Sequence, residues 1–173
     1  TSEQKHALQV SQNSSAQLEK LIEDLIMASV SSQGELTLRQ EALDIRRIAN
    51  LAIKSMAKKA EDRDVSVHAV LDKNLPLVQA DSQKLIWVLG QLLDNGIKFT
   101  PTGGRVVLRI VHESDQLISI SVTDTGIGIP SEKIKDLFQP FHQLDSASTR
   151  QYGGTGLGLL LVRQIIEAHG SML

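Results

Sequence analysis

The 173-residue chain contains no cysteine, which excludes disulfides and thiolate metal sites. Aromatic residues make up 3% of it and hydrophobic residues 41%, so its core must be built from aliphatic side chains. No apolar run reaches the ~18 residues of a membrane span, and no signal peptide opens the chain. With 18 Lys and Arg against 20 Asp and Glu and no basic run, the composition argues against nucleic-acid binding. We expect one soluble domain with an appendage.

The first part of the chain predicts a long helix over residues 5–30, because neither glycine nor proline interrupts it. Its apolar stripe recurs at steps of three and four residues and includes Leu8, Leu18, Ile22 and Leu25. Such a stripe is typical of a helix that packs on another helix. Residues 31–34 end the helix, and the alternation over residues 35–38 predicts a short strand.

The rest of the chain mixes helical and strand patterns. Further helices are predicted over residues 44–60, 82–99 and 131–137, with a final one ending at 169–170. Strands are predicted over residues 65–70, 77–80, 105–111 and 117–123, the last two as a hairpin. Asp44 is a plausible N-cap, as is Asp81 or Ser82. This order predicts an α+β fold: a two-layer sandwich of a mixed β-sheet with helices on one face, preceded by the long helix.

A polar stripe lies on the helix predicted over residues 82–99. At about 100° per residue, Gln91, Asn95 and Lys98 fall on one side of it, opposite leucine and isoleucine. Amide oxygens suit Mg²⁺, and a nearby lysine can hold a phosphate. An ordinary amphipathic helix with a solvated face explains this stripe equally well.

A second cluster of functional residues follows the last predicted strand. Asp124 continues the alternation that places apolar side chains on one face, so its carboxylate should point toward the same interior. A buried carboxylate needs a partner, and the exocyclic amine of a base would be one. Gly126 and Gly128 let the backbone turn and approach a ligand closely. The alternative is an aspartate that only starts a tight turn.

The third cluster is the glycine-rich run over residues 153–159, which enters the final helix. Free N–H groups and the positive dipole end of a helix attract phosphate. The spacing matches neither the dinucleotide fingerprint nor the P-loop. Taken alone, a glycine-rich run is weak evidence for a nucleotide.

In this order the three clusters resemble the ATP-binding domain of sensor histidine kinases, in the superfamily shared with gyrase, the Hsp90 chaperones and MutL. The asparagine, first glycine, phenylalanine and second glycine boxes of that family are similar to residues 91–100, 124–130, 138–141 and 153–159. The resemblance covers roughly residues 65–170, and the joint spacing of the boxes is highly specific.

The resemblance implies a role for each cluster. Asn95, with Gln91, would ligate Mg²⁺, and Lys98 would contact a phosphate of ATP. Asp124 would accept a hydrogen bond from the adenine amine. The further ATP contacts that it implies are Gly126, Gly128, Arg150, Gly154, Thr155, Gly156, Leu157 and Gly158.

A mobile lid over the nucleotide is implied for residues 143–152. A solvated side chain is an equal alternative for Arg150. Phe138 and Phe141 would anchor the lid, with simple core packing as the equal alternative.

The resemblance also divides the chain. Residues 1–34 would be the second helix of a dimerisation hairpin, and residues 35–173 the catalytic domain without its C-terminal β-hairpin. The full-length protein would be a cytoplasmic homodimer, with or without a membrane anchor elsewhere. It would transfer the γ-phosphoryl of ATP to a histidine, for relay to the receiver domain of a response regulator. This chain would contact neither nucleic acid nor membrane.

Position 91 departs from the family, which usually carries asparagine there. Hydrolases of the superfamily place a general-base glutamate at this position, and Gln91 cannot take a proton from water. An ATP hydrolase is therefore disfavoured, and a non-catalytic nucleotide-sensing module remains the alternative to a kinase. Gly96, where alanine is usual, lowers helix propensity by up to ~1 kcal/mol.

No histidine of the chain has the acidic neighbour and the following Thr or Ser before Pro that mark the family's phosphoacceptor. The five are His6, His68, His112, His142 and His169. Each is expected to be structural or solvated, so this chain alone should not phosphorylate itself on histidine.

Overall fold

The computed structural model describes residues 36–114, 117–142 and 155–173. Before them it describes only Gln4, Ala7, Leu8, Val10, Ser11, Ser14 and Ser15. These residues are all helical and exposed, and those from Ala7 onward fall within the helix predicted over residues 5–30. No helix of the described residues combines the length and the apolarity needed to cross a membrane.

Helices and strands follow in the predicted order. The α-helices of the described core are α1 (Ile45–Asp62), α2 (Ser82–Phe99) and α3 (Gly158–Ala168). Its strands are β1 (Glu41–Asp44), β2 (Ser66–Leu71), β3 (Leu77–Ala80), β4 (Arg105–Ser114) and β5 (Leu117–Asp124). A 3₁₀ helix, Ser131–Asp136, lies where a short helix was predicted. The fold is α+β, as expected.

The first strand is not where the alternation placed it. Residues 36–40 have no regular structure, and β1 begins at Glu41. Its register comes from antiparallel pairing with β3, which sets Glu41 opposite Ala80 and Leu43 opposite Val78. This pairing buries Leu43. The prediction over residues 35–38 was wrong because alternation alone does not reveal which segment finds a partner strand.

A mixed three-stranded sheet forms the layer beneath the helices. Its order is β2-β4-β5, with β4 parallel to β2 and antiparallel to β5. Val106, Leu108 and Ile110 alternate along β4, are each 0% exposed and belong to the core shared with α1 and α2. The opposite face of β4 carries Arg105 and Arg109, both exposed. The helices of the core therefore cover one face of this sheet.

Helix α2 is fixed at both ends. The Asp81 carboxylate accepts from the Lys84 N–H at 3.0 Å, which identifies Asp81 as the N-cap. At the other end, the Arg63 guanidinium donates to the Lys98 carbonyl at 3.0 Å. The buried side of the helix, which includes Leu85, Leu89, Leu93 and Ile97, has the three- and four-residue spacing of a core-facing stripe. This packing fixes the direction in which the polar stripe of α2 points.

Candidate functional site

The polar stripe of α2 faces the start of α3. Gln91, Asn95 and Lys98 are all half-buried, unlike the fully buried leucines behind them. A Cβ atom at position 158 would lie only 3.0 Å from Oε1 of Gln91, so that amide lies against the first residue of α3. The first and third sequence clusters therefore meet in the fold, through Gln91 and Gly158, which are more than 60 residues apart in the chain.

The first glycine-rich loop packs on the C-terminal end of α2. The Ile127 N–H donates to the Phe99 carbonyl at 3.2 Å. A Cβ atom at position 126 would lie 2.6 Å from both that carbonyl oxygen and Oδ1 of Asp124, so Gly126 is required by close approach. This contact brings the second cluster beside Lys98, the last polar residue of the stripe.

Asp124 lies on the predicted face but is not buried. Its strand register sets it opposite Val106, which is 0% exposed and lies on the helix-covered side of the sheet. The residue itself is exposed, because it stands at the end of β5, and its carboxylate accepts from the Gly126 N–H at 2.8 Å. The expectation of an interior carboxylate was wrong in this respect. The carboxylate is held by its own loop and is open to a ligand.

The turn before α3, residues 155–157 of the described chain, provides no side-chain cap for the helix. Oγ1 of Thr155 accepts from the Leu157 N–H at 3.1 Å, and Leu157 is buried. Among the described residues no side chain caps the first turn of α3, and that turn holds no acidic residue. Its N–H groups and its dipole therefore favour an anion.

Gly156 shapes this turn by its conformation and by its neighbour. Its φ is +69°, and a Cβ atom there would lie 2.8 Å from the carbonyl carbon of Phe141. The Phe141 side chain is 71% exposed, so the core-packing alternative for it was wrong. The Phe138 ring lies 5.8 Å from the Arg163 guanidinium carbon, beside α3.

The lid predicted over residues 143–152, Arg150 and Gly154 lie outside the described residues.

A junction at the N-terminus of α2 has no counterpart in the sequence pattern. The Asp81 carboxylate also accepts from the Arg39 N–H at 2.9 Å, and the Asp81 N–H donates to Nε2 of His169 at 3.0 Å. Burial acts to raise the pKa of Asp81, but the hydrogen bonds from the Arg39 and Lys84 N–H groups and the Lys84 charge together lower it below its ordinary value. The sequence identified Asp81 only as a cap and His169 only as a helix end.

A second missed contact joins α1 to α2. The Lys59 ammonium pairs with the Asp94 carboxylate, which is mostly buried and directly precedes Asn95. Nothing in the local pattern of either helix indicates this pairing, because it depends on how the two helices cross. The pair helps to hold the helix turn that carries Asn95.

Comparison with known proteins agrees with this geometry. The family model described as histidine kinase-, DNA gyrase B-, and HSP90-like ATPase matches residues 80–173. The chain belongs to this family. It is also 37% identical over 172 residues, 98% of its length, to the circadian input-output histidine kinase CikA of Synechococcus elongatus. It spans only 23% of the length of that relative.

Solved structures show the same fold. The crystal structure of full-length ShkA in complex with AMPPNP has a TM-score of 0.83 at 25% identity, with 98% of this chain and 35% of that chain covered. The histidine kinase ThkA in complex with the response regulator TrrA has a TM-score of 0.71 at 21% identity, over 92% of this chain and 43% of that chain. The chain is therefore an ATP-binding catalytic domain of the histidine kinase type.

Proposed function

We propose that this chain binds Mg²⁺–ATP between α2 and the two glycine-rich segments, and that its parent protein transfers the γ-phosphoryl to a histidine. One observation carries the proposal: three separate sequence clusters converge, with Ile127 bonded to the end of α2 and Gln91 lying against Gly158. At the first contact Gly126 leaves no room for a Cβ atom beside the Phe99 carbonyl, and at the second the Gln91 amide lies against Gly158.

Each end of the nucleotide has suitable partners. The exposed Asp124 carboxylate accepts a hydrogen bond from the adenine amine, while Gly126 and Gly128 border the base. Lys98 contacts a phosphate, and the uncapped N–H groups at the start of α3 bind phosphate oxygens. Thr155, Gly156, Leu157 and Gly158 form this turn, and Arg150 and Gly154 complete the proposed contacts.

The donor set also fits a magnesium ion. Gln91 and Asn95 present amide oxygens one helical turn apart, and Mg²⁺ in nucleotide sites commonly takes one or two protein oxygens along with phosphates and water. Bound there, the ion would supply charge neutralisation of the triphosphate. The additional methylene of glutamine at position 91 extends its amide toward α3, where Gly158 leaves room for it.

The chain's own contribution to phosphoryl transfer is positioning and charge stabilisation. Lys98 and the α3 amides hold the phosphate oxygens, and Gln91 cannot activate water for hydrolysis. Residues 143–152 act as the lid that excludes water. The acceptor histidine lies outside this chain, and the receiver domain of a response regulator takes the phosphoryl group onward.

The division of the chain follows the same proposal. Residues 1–34 contribute a dimerisation helix to a homodimeric parent protein, and residues 35–173 form the catalytic domain. The helical state of the described residues among the first 15 supports this division.

Calorimetric titration tests the nucleotide site. In the presence of Mg²⁺ the chain should bind ATP more tightly than GTP, because guanine offers a carbonyl where adenine offers an amine. Asp124→Asn should lose on the order of 1.5–3 kcal/mol of ATP binding, as for a charge-assisted hydrogen bond. Asp62→Asn, an equal charge change on the exposed last residue of α1, is the matched control and should leave ATP affinity unchanged. Equal affinity of the unaltered chain for ATP and GTP would contradict the proposed adenine recognition.

A transfer assay tests the reaction. Incubated with radiolabelled ATP and Mg²⁺, the chain should label an added polypeptide that carries a dimerisation helix with an acceptor histidine. The label should be acid-labile and alkali-stable, and it should be lost with Asp124→Asn at limiting ATP. ATP binding without any transfer would instead favour the non-catalytic nucleotide-sensing module.

A further inference from the structure

The two ring nitrogens of His169 have hydrogen-bonding roles that their partners define. A backbone N–H can only donate, so Nε2, 3.0 Å from the Asp81 nitrogen, accepts and carries no proton. Nδ1 lies 2.7 Å from the Ile165 carbonyl oxygen, which can only accept, so Nδ1 carries the proton. The imidazole therefore joins the last turn of α3 to the first residue before α2.

Helices α2 and α3 run antiparallel, and α3 contacts α2 at each of its own two ends. Gly158, the first residue of α3, lies against Gln91, and His169, which follows the last residue of α3, is bonded to Asp81. Between them Val88 packs with Val162 and Ile165 in a small apolar cluster. Packing in this cluster restrains the two helices, but apolar contact is non-directional and pairs no specific atom of one helix with an atom of the other.

The hydrogen bond from the Asp81 N–H to His169 pairs specific atoms of the two helices. Asp81, its partner at the start of α2, is itself held in place. The Asp81 carboxylate is bonded to the N–H groups of Lys84 and Arg39, so the residue cannot shift with α3 alone. Helix α3 is a rigid body about 16 Å long, so a displacement of its C-terminal end is passed to its N-terminal amides.

We propose that His169 is a positioning residue: its hydrogen bond to the Asp81 backbone sets the axial register of α3 on α2, and thereby the place of the phosphate-binding amides. This inference rests on the proposed function, in which the start of α3 binds phosphate. The adenine end of the site is anchored separately, through Ile127 and the Phe99 carbonyl. Loss of the His169 bond should therefore weaken phosphate binding while leaving adenine binding in place.

Two substitutions separate the bond between helices from the bond within α3. In His169→Asn the amide can take the place of Nδ1 and bond to the Ile165 carbonyl, but it is too short to reach Asp81. In His169→Gln the longer side chain can place its carbonyl oxygen near the position of Nε2 and accept from Asp81. The two variants thus differ chiefly in whether residue 169 can accept a hydrogen bond from the Asp81 N–H.

The readout is the ratio of ATP affinity to adenosine affinity, measured by calorimetry with Mg²⁺ on the 173-residue chain. His169→Asn should lower this ratio by up to about tenfold, the equivalent of one hydrogen bond. His169→Gln should keep the ratio within about twofold. A merely structural role would reduce thermal stability and would reduce the two affinities together.

An unchanged ratio in His169→Asn, or an equal fall in both variants, would overturn the inference while leaving the proposed function intact. An unaltered chain without any preference for ATP over adenosine would overturn the proposed function, and the inference with it. Should His169→Asn fail to fold, the tautomer of the His169 ring in the unaltered chain tests the bond to Asp81. Long-range ¹H–¹⁵N correlation spectra measure this tautomer. A proton on Nδ1 and none on Nε2 is expected, and a proton on Nε2 would refute the bond to Asp81.

Discussion

The two sides of the site are built in different ways. The helix wall, which carries Gln91, Asn95 and Lys98 on α2, is backed by Leu93 and Ile97, each 0% exposed. The glycine wall, comprising residues 124–128 and 155–158, is held by close contacts between backbone segments. Within it Ile127 is 58% exposed, and Ile134, which follows it in the chain, is 50% exposed. One wall is positioned by side-chain packing and the other by glycine.

This difference indicates how each wall can be altered. In the helix wall a change of volume behind the stripe reduces stability, because protein cores tolerate voids poorly. In the glycine wall Leu157 is buried but Ile127 is exposed, and an added Cβ atom at Gly126 or Gly156 meets backbone. Substitutions of equal size should therefore have unequal effects in the two walls.

The largest effect is expected behind the helix wall. Leu93→Ala should lower the free energy of unfolding by about 2–5 kcal/mol, since it removes a fully buried side chain from the core. Ile134→Ala, beside the glycine wall, should change it by less than about 1 kcal/mol. Urea unfolding followed by circular dichroism measures both values. Similar losses in the two variants would contradict the contrast between the walls.

Within the glycine wall, backbone contact rather than side-chain burial should determine how much stability a substitution costs. Gly156→Ala should lower stability by more than the roughly 1–2 kcal/mol of an alanine in the left-handed region, and should also weaken ATP binding. Gly103→Ala is the matched control, since Gly103 has φ +80° but nothing within 4 Å of an added Cβ atom. It should lose only the conformational contribution and keep its ATP affinity. Equal behaviour of the two variants in unfolding and titration would show that the contact with Phe141 is unimportant.

The sequence predicted the helix wall better than the glycine wall for a physical reason. Periodicity reports which side of a helix is buried, and it placed Gln91, Asn95 and Lys98 correctly opposite the core. It could not report that Asp124 would stand beyond the helix cover, because that depends on where β5 ends relative to α2. Close backbone contacts, such as that of Gly156 with Phe141, leave no periodic signal.

Local sequence patterns also could not predict which distant residues pair in the fold. His169 and Asp81 are 88 residues apart, and each has a sufficient local explanation as a helix terminus. Strand β1 was misplaced for the same reason, since its register is set by β3 and not by its own alternation. The roles of Arg150 and Gly154 stay predictions, because both lie outside the described residues.

The contribution of Asp81, at the N-terminal end of α2, to the stability of the fold should depend on pH. Hydrogen bonds and the Lys84 charge hold the pKa of Asp81 below its ordinary value despite burial, which acts in the opposite direction. Ionised Asp81 therefore stabilises the fold fully above the unfolded-state pKa of about 3.9, and this contribution is lost as the pH falls through the lower folded-state pKa.

Asp81→Asn removes the charge but keeps a side-chain oxygen for the cap. It should lower stability by about 1 kcal/mol at pH 7, and it should approach the unaltered chain as the pH falls below about 4. Asp81→Ala also loses the cap, so its deficit should persist in acid. Unfolding curves across this pH range check both variants, and a constant deficit for Asp81→Asn would argue against a lowered pKa.

The smallest expected effect concerns the one glycine inside the helix wall that is set against the sheet. A Cβ atom at position 96 would lie 3.0 Å from Cγ1 and 3.2 Å from Cγ2 of Val106, closer than ordinary contact. Gly96→Ala gains up to ~1 kcal/mol of helix propensity but must displace that valine, so its net effect on stability should be small or negative. In a Val106→Ala background the obstacle is gone, and the same substitution should stabilise. A double-mutant cycle on unfolding free energies should therefore give a coupling of at least about 0.5 kcal/mol. Additive effects, within ~0.3 kcal/mol, would mean that Val106 yields without loss and that some other feature accounts for glycine at this position.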